Sequence, residues 1–268
     1  MTINEVLRKQ TGILKKSGVD SPRTDILVLM EICLKKDRAW ILAHSDEKMP
    51  AKALSKLSPL LKRRKKREPL AYITGYRDFF GLRLAVSRQS LIPRPETENL
   101  VEYAIKVAPR NGSVLDVGTG SGAIALAIKS LRPDLKVSAL DVSKEVLKLA
   151  KKNSGQLKLN IKFIHSNMFE NVSDRFDVIV ANLPYLPEKR DLDPELSYEP
   201  AIALLSGPDG LDHYRRMLRE AFQVLTIRGR IIIEHEPHQT PQLIEICPPS
   251  TELTSVKPFV SELQLISN

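Results

Sequence analysis

Apolar positions recur along this chain in two different rhythms, and the rhythm changes near residue 68 and again near residue 113. Over residues 1–67 the spacing is helical, with Ile3, Val6, Leu7, Ile13 and Leu14 on one face of a helical period. Ser21-Pro22 reads as an N-cap followed by proline at the first helical position, opening a segment that runs through Leu34. Asp37 to Ala43 gives a short third helix, and residues 50–67 a fourth. Residues 68–95 change character: Tyr72, Ile73, Tyr76, Phe79, Phe80, Leu82, Leu84 and Val86 predict short strands, with Gly75 and Gly81 as turn points. This stretch reads as a β-hairpin joining two domains, and a helix follows over 96–108.

From residue 113 strands and helices alternate. Ser113–Val117, Lys136–Leu140, Ile161–His165, Phe176–Ala181 and Arg230–Glu234 read as strands. Ala123–Leu131, Lys144–Asn153 and Asp209–Leu225 read as helices. Apolar runs such as Val178-Ile179-Val180 and Ile231-Ile232-Ile233 suit strands covered on both faces. Such alternation predicts an α/β fold with a doubly wound, mostly parallel sheet. Residues 251–267 read as two closing strands.

Composition narrows the picture. In 268 residues, 42% are hydrophobic, enough for a large core and against global disorder. No run of about 18 uncharged apolar residues occurs, so no membrane span is expected. The start, Met1-Thr2-Ile3-Asn4-Glu5, lacks the basic and apolar segments of a secretion signal. Cys33 and Cys247 stand far apart in no motif, which argues for a reducing, cytoplasmic setting. Charge is uneven: residues 1–75 hold 17 basic against 8 acidic residues, whereas the rest hold 24 of each. The whole excess lies in the first quarter, culminating in Lys62-Arg63-Arg64-Lys65-Lys66-Arg67. It reads as a steering surface for an acidic protein or nucleic acid, or as a solvated face whose cations complement a helix C-terminus.

Three motifs carry candidate chemistry. Val114 to Gly122 runs a buried strand into the turn Gly118-Thr119-Gly120-Ser121-Gly122, which opens a helix. Glycines there permit a sharp turn and close approach of a ligand. The spacing is neither that of dinucleotide binders nor that of a P-loop, so a plain structural turn stays open. Asp141 ends the next strand, 19 residues after Gly122, near the spacing at which an acid meets ribose hydroxyls. Its alternative is the N-cap of the helix near Ser143. Asn182-Leu183-Pro184-Tyr185 follows the strand 176–181 at the sheet edge where ligands bind, unless it is an ordinary turn. An amide oxygen from Asn182, a fixed carbonyl from Leu183 and a flat wall from Tyr185 make a slot for a planar NH2 group.

Asp116 to Leu126 resembles motif I of class I S-adenosylmethionine-dependent methyltransferases, and Asn182–Tyr185 resembles the Asn-Pro-Pro-Tyr motif of amino-methyltransferases. Glu68-Pro69-Leu70-Ala71-Tyr72-Ile73-Thr74-Gly75 and Ile92-Pro93-Arg94-Pro95-Glu96-Thr97-Glu98 are similar to the peptide chain release factor glutamine methyltransferases of the HemK/PrmC type. Gly207 to Leu211 and Tyr214-Arg215-Arg216 fit the same family, so the likeness extends to about Glu236. The resemblance implies a seven-stranded methyltransferase sheet behind a small N-terminal helical bundle. The organisation would be a docking domain for the protein substrate over 1–67, a hairpin linker over 68–95 and an S-adenosylmethionine-binding domain over 96–268. It further implies a cytoplasmic enzyme of translation termination that methylates N5 of the glutamine in the Gly-Gly-Gln loop of class 1 release factors. S-adenosyl-L-homocysteine would be the second product; a monomer is expected because the catalysis needs nothing from a second chain. Cofactor contacts carry over to Gly118, Thr119, Gly120, Ser121, Gly122, Asp141, Met168 and Asn182; substrate and catalytic contacts carry over to Asn182, Leu183, Pro184 and Tyr185.

Three positions depart from the family pattern. Leu183 stands where proline is usual, though only its carbonyl is needed. Asn167-Met168 replaces the usual acidic–aromatic or acidic–aliphatic pair near the adenine, and Asn167 retains an oxygen to accept from an amine, without charge assistance. His235-Glu236-Pro237-His238 replaces a glycine-bearing segment. Neither this pair nor His44, His165 and His213 forms a metal set; a zinc site at His235 and His238 lacks a third ligand. Gly118 to Gly122 is no nucleophile elbow. The alternatives are a nucleic-acid adenine-N6 or other amino-methyltransferase, and a non-catalytic RNA- or ribosome-binding protein on the same scaffold. Base methylation in a duplex needs a recognition element that 268 residues do not evidently contain.

Overall fold

The computed structural model describes residues 1–265 and divides into two compact units, one formed by 1–75 with 192–198, the other by 76–191 with the remainder from 199. In the first unit the helices are α1 (Ile3–Lys16), α2 (Pro22–Leu34), α3 (Arg38–Ala43), α4 (Ala51–Lys65) and α5 (Leu70–Thr74). A reciprocal pair starts α1: Thr2 Oγ1 accepts from Glu5 N–H at 3.1 Å, and Thr2 N–H donates to Glu5 Oε2 at 2.9 Å. Pro22 does open α2, but the Ser21 side chain makes no capping bond. The apolar faces of α1, α2 and α4 meet in a core of Val6, Ile26, Leu29, Met30 and Leu57.

The helix α5 replaces a strand expected at Tyr72 and Ile73. Pro69 at its N-cap and left-handed Gly75 at its C-cap bracket five residues that bury Ala71, Tyr72 and Ile73 together. Two adjacent apolar residues fit either period, and the flanking stops decide it. The basic run is also less uniform than its sequence. Arg64 is buried, donating to Asp25 Oδ2 at 2.6 Å and to Glu195 Oε1 at 2.8 Å. Arg63 and Arg67 pair with Glu68 and Glu195.

The second unit opens with the hairpin β1 (Tyr76–Phe79) and β2 (Leu82–Ala85). Its two-residue turn has Phe80 at φ 49 and Gly81 at φ 74, the doubly left-handed turn that suits strand twist. Phe80 tolerates that backbone because its N–H is held by Glu98 Oε1 at 3.0 Å. Then come α6 (Thr97–Val107), β3 (Ser113–Val117), α7 (Ala123–Leu131), β4 (Lys136–Asp141), α8 (Lys144–Leu157), β5 (Lys162–His165) and β6 (Phe176–Ala181). They are followed by α9 (Asp212–Glu220), β7 (Leu225–Glu234), α10 (Thr240–Glu245), β8 (Thr251–Lys257) and β9 (Val260–Leu265).

Among the described residues the sheet has seven strands in the order β5-β4-β3-β6-β7-β9-β8, and β9 alone runs against its neighbours. Two cores cover its faces, one around Leu100, Leu126 and Val178, the other around Leu115, Ile179 and Tyr214. Strand order reverses between β3 and β6, so the carboxyl ends of β3, β4, β6 and β7 flank the crevice where such sheets bind ligands.

The helix expected over 209–225 is shorter, because Leu225 is drawn into the ladder opposite Phe176. The register then shifts before Val178 meets Arg230, so β7 starts five residues earlier than its apolar core suggests. Conversely α8 runs to Leu157, four residues past the expected end, with Ser154 buried on its inner face. The closing strands form a hairpin as expected; positions 266 and 267 of that expectation lie outside the described residues. No described helix is long and apolar enough to cross a membrane.

Candidate active site

The crevice is a cavity of about 310 Å³ lined by residues of the second unit. Its floor is the turn after β3. Gly118 and Thr119 N–H groups both donate to Leu140 O, at 3.0 and 2.9 Å, which turns the chain hard over the end of β4. Gly118 has φ 73, a left-handed backbone that favours glycine, and a Cβ there would stand 2.8 Å from Leu183 Cδ2, so that side chain would have to shift. Gly118, Thr119, Gly120 and Ser121 line the cavity. Gly122 does not; its place is structural, since a Cβ would press on Ala150 of α8 at 3.3 Å.

Asp116 sits beneath this turn with no exposure, its Oδ2 accepting from Thr119 Oγ1 at 2.6 Å and Ala125 N–H at 3.1 Å. Its Oδ1 has no partner among the described residues, and burial pushes its pKa from the usual 3.8 up to about 7. Asp141 is not the N-cap of α8; Ser143 is, through its own hydroxyl. The Asp141 carboxylate accepts from Gly120 N–H at 3.0 Å and Ser143 N–H at 2.9 Å. Those two bonds hold it at the cavity with lone pairs to spare.

Met168 lines the same wall with φ 50, a left-handed backbone that costs a side-chain-bearing residue energy and is found at ligand sites. Asn167 lines it too. Its oxygen already accepts from Arg216 Nη1 at 2.8 Å, so the acceptor expected to be open for an amine is shared.

At the end of β6, Asn182, Leu183 and Pro184 line the cavity. The Asn182 amide nitrogen donates to Thr97 Oγ1 at 3.0 Å and to Glu234 Oε1 at 2.9 Å. Both its donors are therefore spent on the protein, and its oxygen is the end left for the cavity. Glu234 is 1% exposed, and burial raises its pKa from the usual 4.5 to about 7. Tyr185 is outside the lining, half buried, with its carbonyl accepting from Gln239 Nε2 at 2.9 Å. Burial foremost, and then the Glu234 charge, push its hydroxyl pKa up.

Of the residues the sequence singles out, Gly118–Ser121, Asp141, Met168 and Asn182–Pro184 line one cavity, and Gly122 and Tyr185 do not. Sequence reasoning missed Thr97 and Glu234. Glu234 carried a usable sign, an acid closing a buried strand at the edge where Asp141 and Asn182 also stand. His235 is buried and satisfied, bonded through Nε2 to Ser261 and through Nδ1 to the Glu236 carbonyl. No group of three metal-ligating side chains occurs among the described residues.

A family model described as the PrmC N-terminal domain matches residues 5–75, and one described as a methyltransferase domain matches residues 109–260. The chain is 36% identical over 247 residues to the release factor glutamine methyltransferase of Deinococcus radiodurans, across 91% of this chain and 89% of that one. It is 40% identical over 244 residues to the protein of the same name from Vibrio cholerae, across 88% and 84%. Among solved structures, a methyltransferase from Pyrococcus furiosus superposes with a TM-score of 0.54 over 70% of this chain and 91% of that one; at 18% identity this is a likeness of fold.

Proposed function

The chain belongs to the release factor glutamine methyltransferase family, and from that premise we propose that it transfers a methyl group from S-adenosylmethionine to the side-chain amide nitrogen of the Gly-Gly-Gln glutamine in a class 1 peptide chain release factor. The observation that carries this reading is the pinned Asn182 nitrogen: the cavity meets an acceptor oxygen, which suits a substrate that brings N–H donors.

The residues present fit the cofactor. Asp141 offers carboxylate lone pairs for ribose hydroxyls at the end of β4. The Gly118–Ser121 backbone supplies a close wall, and the space beside Gly120 is open, with nothing within 4 Å of where a Cβ would stand. Met168 and Ile124 give apolar cover. When bound, S-adenosylmethionine supplies an electrophilic methyl on a positive sulfonium.

A glutamine amide nitrogen is a poor nucleophile because its lone pair is delocalised into the carbonyl. The Asn182 oxygen and the Leu183 carbonyl would accept its two N–H groups, orient the nitrogen and favour localisation of the pair. No dedicated base is needed, since the nitrogen becomes acidic on methylation and releases a proton to water. The basic unit of 1–75 would dock the protein substrate. A monomer would suffice for this chemistry. The direct test incubates the purified protein with S-adenosylmethionine and intact release factor, then maps peptides by mass spectrometry, with DNA and RNA run in parallel. One added methyl on the glutamine is expected; methyl transfer to nucleic acid alone would overturn the reading.

A further inference from the structure

Tyr214 lies in the first turn of α9 and has no exposure, so its hydroxyl must find partners inside the protein. It finds two. It accepts from the Leu183 N–H at 3.2 Å and donates to the Glu234 carbonyl. Burial pushes its pKa well above the usual phenol value, so it stays a neutral donor and acceptor. Pro184 has no N–H, so the Leu183 amide is the donor by which the middle of this turn is tied down. Fixing that amide fixes the peptide plane before Leu183. The proline after it confines Leu183 to an extended ψ, and the direction of the Leu183 carbonyl follows. Glu234 thereby holds both ends of this turn: its side chain holds Asn182, and its carbonyl holds Leu183 through Tyr214.

Resting on the function proposed above, we propose that Tyr214 is a positioning residue for methyl transfer, its hydroxyl bridging the Leu183 N–H to the Glu234 carbonyl and so aiming the Leu183 carbonyl at the substrate amide. Tyr214→Phe removes the bridge and leaves the ring. It lowers kcat by about tenfold, the scale of a small misplacement of one acceptor, while KM for release factor moves less than about twofold. Leu183→Pro removes the N–H that the bridge serves. In the Leu183→Pro background, Tyr214→Phe therefore costs less than about twofold in kcat. Equal cost in both backgrounds would show that the hydroxyl acts through the Glu234 carbonyl and not through the Leu183 N–H, and would overturn the proposal. A second readout needs no substrate. In protein labelled with 15N-leucine, the Leu183 amide exchanges slowly, and in Tyr214→Phe it exchanges at least about a hundredfold faster. An amide that exchanges freely in the wild-type protein overturns the bridge itself. Slow exchange with no methylation of release factor would instead sink the functional reading and leave the bridge standing.

Discussion

At Asn182 the chemistry turns on which end of one carboxamide meets the ligand. Thr97 and Glu234 both accept from its nitrogen, and the oxygen remains. Asn182→Ala removes that oxygen and deprives Thr97 and Glu234 of the donor they share. Turnover should fall about 10²–10³-fold, the range for one preorganised polar group, as read in single-turnover methylation. Asp141 acts earlier, in binding. Its carboxylate is held by Gly120 and Ser143 N–H groups while burial raises its pKa, so a ligand that donates to it relieves a desolvated acid. Asp141→Ala should weaken cofactor binding by roughly 1.5–3 kcal/mol. Titration calorimetry checks this, and an unchanged affinity would remove Asp141 from the ribose.

The carboxyl edge of the sheet is the element on which these residues converge, and it gathers acids. Asp116 near the end of β3 and Glu234 at the end of β7 are each pushed by burial to about 7. Their usual values are 3.8 and 4.5. Between those values and about 7 the folded chain binds more protons than the unfolded one, so this pair lowers stability as pH rises through that window. Below it both states are protonated and the contribution is flat. Thermal unfolding midpoints should therefore fall from about pH 4 to about pH 7 on account of these groups and level off above. Glu234→Gln keeps an acceptor for Asn182 and carries no charge, so it should flatten part of that fall. Calorimetry across the range, with slopes identical in variant and parent, would refute the assignment.

For the molecule as a whole, charge and chemistry are segregated. The basic excess belongs to residues 1–75, whereas every residue lining the cavity lies in the other unit. Deleting 1–75 should leave cofactor affinity within about threefold, because the methyltransferase unit keeps its own cores. It should cut methylation of intact release factor by about 10²-fold or more, the remote contacts being lost. Mass spectrometry and calorimetry on the truncated chain decide between this and a docking role elsewhere. The sequence by itself determined the alternation of strands and helices, the glycine turn, and the strand ends that carry Asp141 and Asn182. Those features are local: burial on both faces writes apolar runs, and a turn that needs left-handed backbone writes glycine. Only the tertiary structure decided what surrounds Asn182. Thr97 lies 85 positions before it and Glu234 52 after, and Arg64 meets Glu195 across 131. Such pairings depend on strand order and register, which no periodicity along the chain records. The same holds for Tyr185 and Gly122, whose motifs were legible but whose absence from the cavity wall follows from how helices and loops pack behind it.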